Sequence, residues 1–347
     1  MNNIQGLIGK DSLSVSEAMQ KIDKNSFGIL FIVDNEGIIL GCVTDGDIRR
    51  YLLSGGLMSG PVMEAANKNP KLARSDEEAR MLYHKKDYYL IPIVDQQGKI
   101  VSFYSGEGKK IRQKNALNVP VVINAGGRGS RLEPYTKVLP KPLIPVGDLP
   151  IIEHIIREFQ SYNCSKFSII VNYKKDLMKA YFKDNENNYD ITWYDEDIPL
   201  GTGGGLSLLR GKIHETFFFA NCDALLVANY ESMLKFHKEQ GNVITMICAY
   251  KNINIPYGVV EMGENGVIES MKEKPLISFL TNTGCYIVEP EVIDDMQDGV
   301  SIGFPDIVEQ QRQKGRRVAV FPVSENDWMD MGQLPELEKM RIRLYGE

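Results

Sequence analysis

The string VINAGGRGSRLEPYTKVLPKPL, residues 122–143, constrains this chain more than any other. An apolar run suited to a buried strand leads into three glycines within four positions, followed by Arg131, Lys137 and Lys141. Glycines directly after a strand let backbone amides close on a phosphate. Two common phosphate loops fail on spacing. A Walker A loop needs a lysine after its last glycine, and none follows Gly129; a dinucleotide turn needs a third glycine where Leu132 stands. Cations crowded behind the glycines fit phosphate charge that changes during a reaction better than a pyrophosphate that stays intact. A glycine turn with surface arginines is the competing reading.

From the same strand onward, apolar runs (VVIN, FSIIVNY, ITWYDE, FFFANCDALL, VITMICAY, GVVEM, NTGCYIV, VAVFPV) alternate with helical ones such as PIIEHIIREFQSYN and NYESMLKFHKEQG. Such alternation predicts an α/β domain with a mostly parallel sheet covered on both faces, its ligands at the carboxyl ends of the strands. A length of 347 residues suggests two domains. A net charge of −6 gives no support for a nucleic-acid or membrane partner. The first residues, MNNIQGLIGKDSLSV, lack the pattern of a signal peptide, and no apolar run is long enough to span a bilayer, so a cytoplasmic location is expected. Cys42, Cys164, Cys222, Cys248 and Cys285 sit singly, mostly in apolar runs, and read as reduced core residues; no metal-ligand spacing of Cys or His appears.

The first third contains a repeat. LFIVDNEGIILGCVTDGD (30–47) returns as IPIVDQQGKIVSFYSGEG (91–108), with Asp34 and Asp95 offset by 95 − 34 = 61 residues. Each copy reads as two strands about a glycine turn, preceded by a helix that opens at Ser14 or Ser16 in the first and at Ser75 in the second. One copy alone would expose an apolar sheet face, so the two should pack together. KKIRQKNALNVP (109–120) reads as the linker to the α/β domain.

The repeat resembles a tandem pair of CBS domains, about residues 5–57 and 60–115, within a region of 1–115. Gly41, Thr44 and Asp47 match the family's ligand-contacting pattern, whereas the second copy has Ser102, Ser105 and Gly108. The resemblance implies AMP or ATP binding at Thr44 and Asp47, and homodimers formed through CBS faces. An Asp47 that only caps its helix is the alternative.

Residues 116–347 carry a longer match. AGGRGSRLEPYTKVLPKPL resembles the pattern Gly-Gly-x-Gly-Ser/Thr-Arg-Leu-x-Pro-x-Thr followed by Pro-Lys-Pro, found in the sugar-phosphate nucleotidyltransferases. The resemblance implies a Rossmann-like, GT-A-like fold with a mostly parallel mixed sheet. It implies that Ala125, Gly126, Gly127, Gly129 and Ser130 wrap a nucleoside triphosphate, that Arg131 and Lys141 contact its phosphates, and that Gly201 and Thr202 of PLGTGGGL meet the base. Gly258, Glu273, Lys274 and Asn282 would serve the sugar phosphate, and Asp223 of ANCDALL and Asp330 of WMDMG would hold Mg2+. On the residues alone, a carboxylate ending a buried strand such as FFFANCD is costly without a cation, while KEKP reads as a surface charge run. Gln333 stands where the family usually has threonine. The implied reaction joins a sugar 1-phosphate to an NTP, giving NDP-sugar and pyrophosphate. The Pro-Lys-Pro-Leu and Leu-Gly-Thr-Gly-Gly forms are closest to guanylyltransferases acting on mannose, heptose or hexosamine 1-phosphates, with GTP as donor. CBS copies ahead of such a domain resemble glucosamine-1-phosphate guanylyltransferases. Uridylyl, thymidylyl or cytidylyl transfer is one alternative, and a nucleotide sensor with an inactive transferase half is another.

Overall fold

The computed structural model describes residues 4–25, 27–85, 90–105, 115–183 and 189–346. It divides into two compact units, one of residues 1–113 with 252–279 and one of residues 114–251 with 280–347. Residues 109–114, half of the expected linker, and Gly108 lie outside the described residues.

The second unit is built on a seven-stranded sheet. Its strands are β1 (Val121–Asn124), β2 (Lys166–Val171), β3 (Asp190–Asp195), β4 (Phe217–Asn221), β5 (Ile244–Asn254), β6 (Leu276–Val288) and β7 (Val318–Val323), in spatial order β3-β2-β1-β4-β6-β5-β7. β3, β2, β1 and β4 run parallel, as do β5 and β7, while β6 lies antiparallel to β4. The mixed, mostly parallel sheet is therefore the expected one. Parallel strands are buried on both faces and so read as continuous apolar runs. Accordingly Val121–Ile123 and Phe217–Phe219 are fully buried, and alternate residues point to opposite cores: Ile123 and Phe218 to one, Val122, Phe217 and Phe219 to the other. Helix α1 (Ile151–Gln160) buries Ile151, Ile152, Ile155, Ile156 and Phe159, one apolar stripe at helical spacing. Helices α2 (Lys175–Lys183), α3 (Tyr230–Gln240), α4 (Phe304–Gln313) and α5 (Leu334–Tyr345) complete the cover.

Two registers matter for function. Asn124 pairs with Asn221 across β1 and β4, so the glycine loop and the Cys222–Asp223 turn leave adjacent strands at the same carboxyl edge. FFFANCDALL is broken at that turn: a separate short strand, Ala224–Leu226, pairs with Trp328–Asp330, setting Asp330 opposite Ala224.

In the first unit, Ser14 opens the helix Val15–Asn25 by a reciprocal cap with Glu17, and Ser75 accepts from the Glu78 amide ahead of Asp76–Lys85. The hairpins Ile29–Val33/Ile39–Thr44 and Ile91–Val94/Ile100–Tyr104 are both antiparallel, and an Ile38–Lys99 bridge joins them. Residues 252–279, grouped with this unit, carry a two-stranded arm, Val259–Met262 against Ile268–Lys272. Ser16, buried on its helix, donates to the Asn252 side-chain amide oxygen at 3.2 Å and shares a 2.9 Å hydrogen bond with the Ser278 hydroxyl at the base of the arm.

Candidate active site

The glycine loop spans Ala125–Gly129 between β1 and the short turn Ser130–Leu132. Gly129 lies in the left-handed region at φ 69°, and a Cβ there would come within 3.0 Å of both Thr136 and Lys141. Only glycine meets both conditions. The Ala125 amide donates to Ile170 at 2.8 Å and ties the loop to β2. Leu132 is fully buried and anchors the turn, which leaves Arg131 exposed. Pro140 and Pro142 restrict the backbone beside Lys141, whose side chain is 9% exposed.

Lys141 forms an ion pair with Asp223. Asp330, on the strand beside that turn, has its carboxyl pushed above the usual range by burial and by the charge of Asp223, an effect that Lys141 and Arg131 offset. The structure thus brings together four residues drawn from three distant stretches of the sequence: Arg131, Lys141, Asp223 and Asp330. Among the described residues no cluster of three or more His, Cys, Asp or Glu side chains suits a metal. Two carboxylates crowded together, with one ammonium between the loop and the turn, suit a hard cation that completes its shell with substrate phosphates.

Gly201 and Thr202 lie over the end of β1, where the Asn124 side-chain amide donates to the Thr202 carbonyl at 3.1 Å. Gly201 has φ 80°, and a Cβ there would meet the Ile302 carbonyl at 2.7 Å. The Thr202 hydroxyl accepts from the Phe304 amide at 3.0 Å and so caps α4. Asn282 donates to the Tyr286 hydroxyl at 2.6 Å and accepts from the Gly284 amide at 3.0 Å.

In the first unit, Gly258, Glu273 and Lys274 meet on the arm. A Cβ at Gly258 would lie 2.9 Å from Glu273, and the Lys274 amide donates to Tyr257 at 3.2 Å. Thr44 and Asp47 form the capping box of the helix Asp45–Leu53, and Asp47 also pairs with Arg50. These bonds are those of a helix cap.

Glu196 was not legible in the sequence. It follows β3, is 4% exposed, and lies between two glycines: a Cβ at Gly126 or at Gly205 would stand 2.6 Å from its carboxyl oxygens. Its Oε1 has no hydrogen-bond partner among the described residues, and burial pushes the carboxyl up to about 7. A raised folded-state pKa stabilises the fold below the ordinary glutamate range, and that stability is lost as pH rises through about 7. The loss amounts to about 3 kcal/mol at most. The Tm of the parent protein is expected to fall between pH 5 and 8, and Glu196→Gln should flatten that fall; an equal slope in the two proteins would contradict this.

The glycine loop, Lys141 and the two aspartates thus converge on one end of the sheet of an α/β domain. The sequence profile of the nucleotidyl transferase family matches residues 120–344, and that of the CBS domain matches residues 10–54. The chain belongs to the nucleotidyl transferase family. Mannose-1-phosphate guanylyltransferase 1 of Arabidopsis thaliana is 34% identical over 237 residues, covering 65% of this chain and 64% of that protein. Mannose-1-phosphate guanyltransferase of Schizosaccharomyces pombe is 33% identical over 232 residues, with 61% of this chain and 60% of that protein covered. The chain thus spans less than two thirds of the length of these curated relatives. Among solved structures, HddC from Yersinia pseudotuberculosis shares the fold at a TM-score of 0.51 and 21% identity, covering 65% of this chain and 99% of that one.

Proposed function

We propose that the chain transfers a nucleotidyl group, GMP from GTP, to a sugar 1-phosphate such as glucosamine 1-phosphate or mannose 1-phosphate. The observation that carries the proposal is the convergence of Lys141, Asp223 and Asp330 at the carboxyl edge beside the glycine loop. A phosphate oxygen of the sugar phosphate attacks the α-phosphorus and forms a P–O bond. The bond from the α-phosphorus to its bridging oxygen breaks, and the electron pair leaves with pyrophosphate. No protein nucleophile or base is required, because a phosphate monoester is already anionic at neutral pH.

Two anions must be brought together, so cationic groups carry most of the catalysis. The amides of Gly126, Gly127, Gly129 and Ser130 cradle the triphosphate, and Ala125, whose own amide is bonded to Ile170, fixes the start of the loop. Lys141 exchanges its Asp223 partner for phosphate oxygens, and Arg131 adds a second positive charge. Mg2+ held by Asp223 and Asp330 would neutralise phosphate charge and orient the reacting oxygens. Gly201 and Thr202 are proposed to meet the base, and Gly258, Glu273, Lys274 and Asn282 the sugar phosphate. Support for guanine comes from the guanylyltransferase relatives. Phosphorus NMR of a reaction with GTP tests the reaction: the expected products are free pyrophosphate and a diphosphate diester, whereas release of inorganic phosphate alone would refute transfer.

We further propose that residues 1–115 form two CBS copies that bind AMP or ATP, regulate the transferase and pair two chains as a homodimer. The bonds from Ser16 to Asn252 and Ser278 support a route to the sugar-phosphate arm. AMP or ATP should raise Tm, and Asp47→Ala should abolish the ligand-induced increment; no increment with either nucleotide would refute this ligand. A cytoplasmic location is supported by the supply of NTPs there and by five buried, free cysteines. No helix among the described residues is long and apolar enough to cross a membrane.

A further inference from the structure

The turn after β2, Asn172–Lys175, does not belong to the glycine loop, yet it grips both limbs of it. The Tyr173 amide donates to the Gly126 carbonyl at 3.4 Å. The Tyr173 hydroxyl donates to the Thr136 carbonyl at 3.1 Å. Thr136 is itself buried, and its hydroxyl donates back to the Gly129 carbonyl at 3.0 Å. Tyr173 therefore spans the loop from its first glycine to the short helix Tyr135–Val138, directly before Pro140-Lys141-Pro142.

Lys174 strengthens the grip. It adopts φ 53°, a left-handed conformation that costs a non-glycine residue about 1 kcal/mol or more. That conformation accompanies two bonds from its ammonium, to the Lys137 carbonyl at 2.6 Å and the Val138 carbonyl at 2.7 Å. These carbonyls end the short helix, where a cation is favoured. Arg128 and Lys174 both lie against the Tyr173 ring, at 5.8 Å and 5.4 Å from its centroid. A surface lysine with no role would take an ordinary conformation and point into water.

We infer that Tyr173 and Lys174 are positioning residues for the transfer reaction. They brace the glycine loop against the segment that presents Lys141, so that loop amides and ammonium face the triphosphate in one fixed geometry. They touch no reacting atom and act through Gly126, Thr136 and the backbone ahead of Lys141. Misplacing a positioned group by 1 Å can cost about 10²-fold in rate. A brace spanning both limbs therefore controls turnover more than affinity.

The inference rests on the proposed reaction, so it is tested with one readout that needs turnover and one that does not. Tyr173→Phe keeps the ring and loses only the hydroxyl; Lys174→Gly suits the left-handed backbone and removes the whole side chain with its ammonium. In both, kcat is expected to fall about tenfold or more while KM for GTP changes less than about threefold. Lys174→Arg, which can still donate to both carbonyls, should recover most of the rate. Independently, amide hydrogen exchange in residues 125–139 should speed up in Tyr173→Phe and Lys174→Gly while exchange in β1 and β4 stays as in the parent. Unchanged exchange in 125–139 overturns the brace whether or not the parent enzyme turns over. Faster exchange with kcat unchanged overturns the positioning role and leaves a merely structural contact. A parent enzyme that transfers no nucleotidyl group refutes the reaction itself and with it the catalytic part of the inference.

Discussion

Asp223→Asn is expected to lower kcat about 10³-fold while the protein stays folded. Asp223 is paired with Lys141 and crowds Asp330, whose carboxyl its charge pushes upward. The substitution removes an attraction and a repulsion together, so their effects on stability oppose each other and Tm should move only a few degrees. Catalysis has no such compensation. Asparagine offers a neutral oxygen where a charged ligand is needed, and removing one electrostatic contact of this kind costs about 10²–10³-fold, with loss of a metal ligand at the upper end. The check is pyrophosphate release under saturating substrates together with a thermal melt. Turnover equal to that of the parent would refute the assignment of Asp223 as a metal ligand. A collapse in Tm would instead show that the ion pair is mainly structural.

Lys141→Ala should lose about 10²–10³-fold in kcat and show a second, distinct signature. The lysine is buried, and its ammonium is the charge paired with Asp223. Without it, two adjacent carboxylates are left uncompensated, an arrangement that is costly in a partly dry site. The variant should therefore melt lower than the parent in the absence of divalent ions and recover on addition of Mg2+, because a cation that binds only the folded form restores stability by mass action. A rise in KM for GTP with kcat unchanged would mean that Lys141 only binds substrate. A melting temperature insensitive to Mg2+ would contradict the cation site.

Much of this was legible in the sequence, and the reasons are physical. Val121–Asn124 and Phe217–Asn221 read as buried strands because a parallel strand covered on both faces must be apolar at every position. Gly129 and Gly201 could be picked out because a positive φ and a close approach leave no other residue type possible. Ser75 declared its helix through local capping chemistry. Thr44 and Asp47 show the limit of that chemistry: a hydroxyl and a carboxylate at a helix start fit a ligand and a cap equally well, and the bonds they make here are those of the cap. Glu196, Tyr173 and Lys174 were missed because their roles come from neighbours that β2 and β3 bring alongside, tens of residues away, with no local period to reveal them. The run FFFANCDALL appeared continuous because its break is imposed by pairing with Trp328–Asp330, a partner about a hundred residues further on.

Nucleotidyl transfer is tested by pyrophosphate release from each of GTP, ATP, UTP, CTP and dTTP, paired in turn with glucosamine, mannose and glucose 1-phosphates and Mg2+. Release is expected to require both substrates and to be fastest with GTP and a hexose or hexosamine 1-phosphate. No release from any pair would contradict nucleotidyl transfer and leave a nucleotide-binding module; release with UTP, CTP or dTTP but not GTP would keep the reaction and overturn guanine.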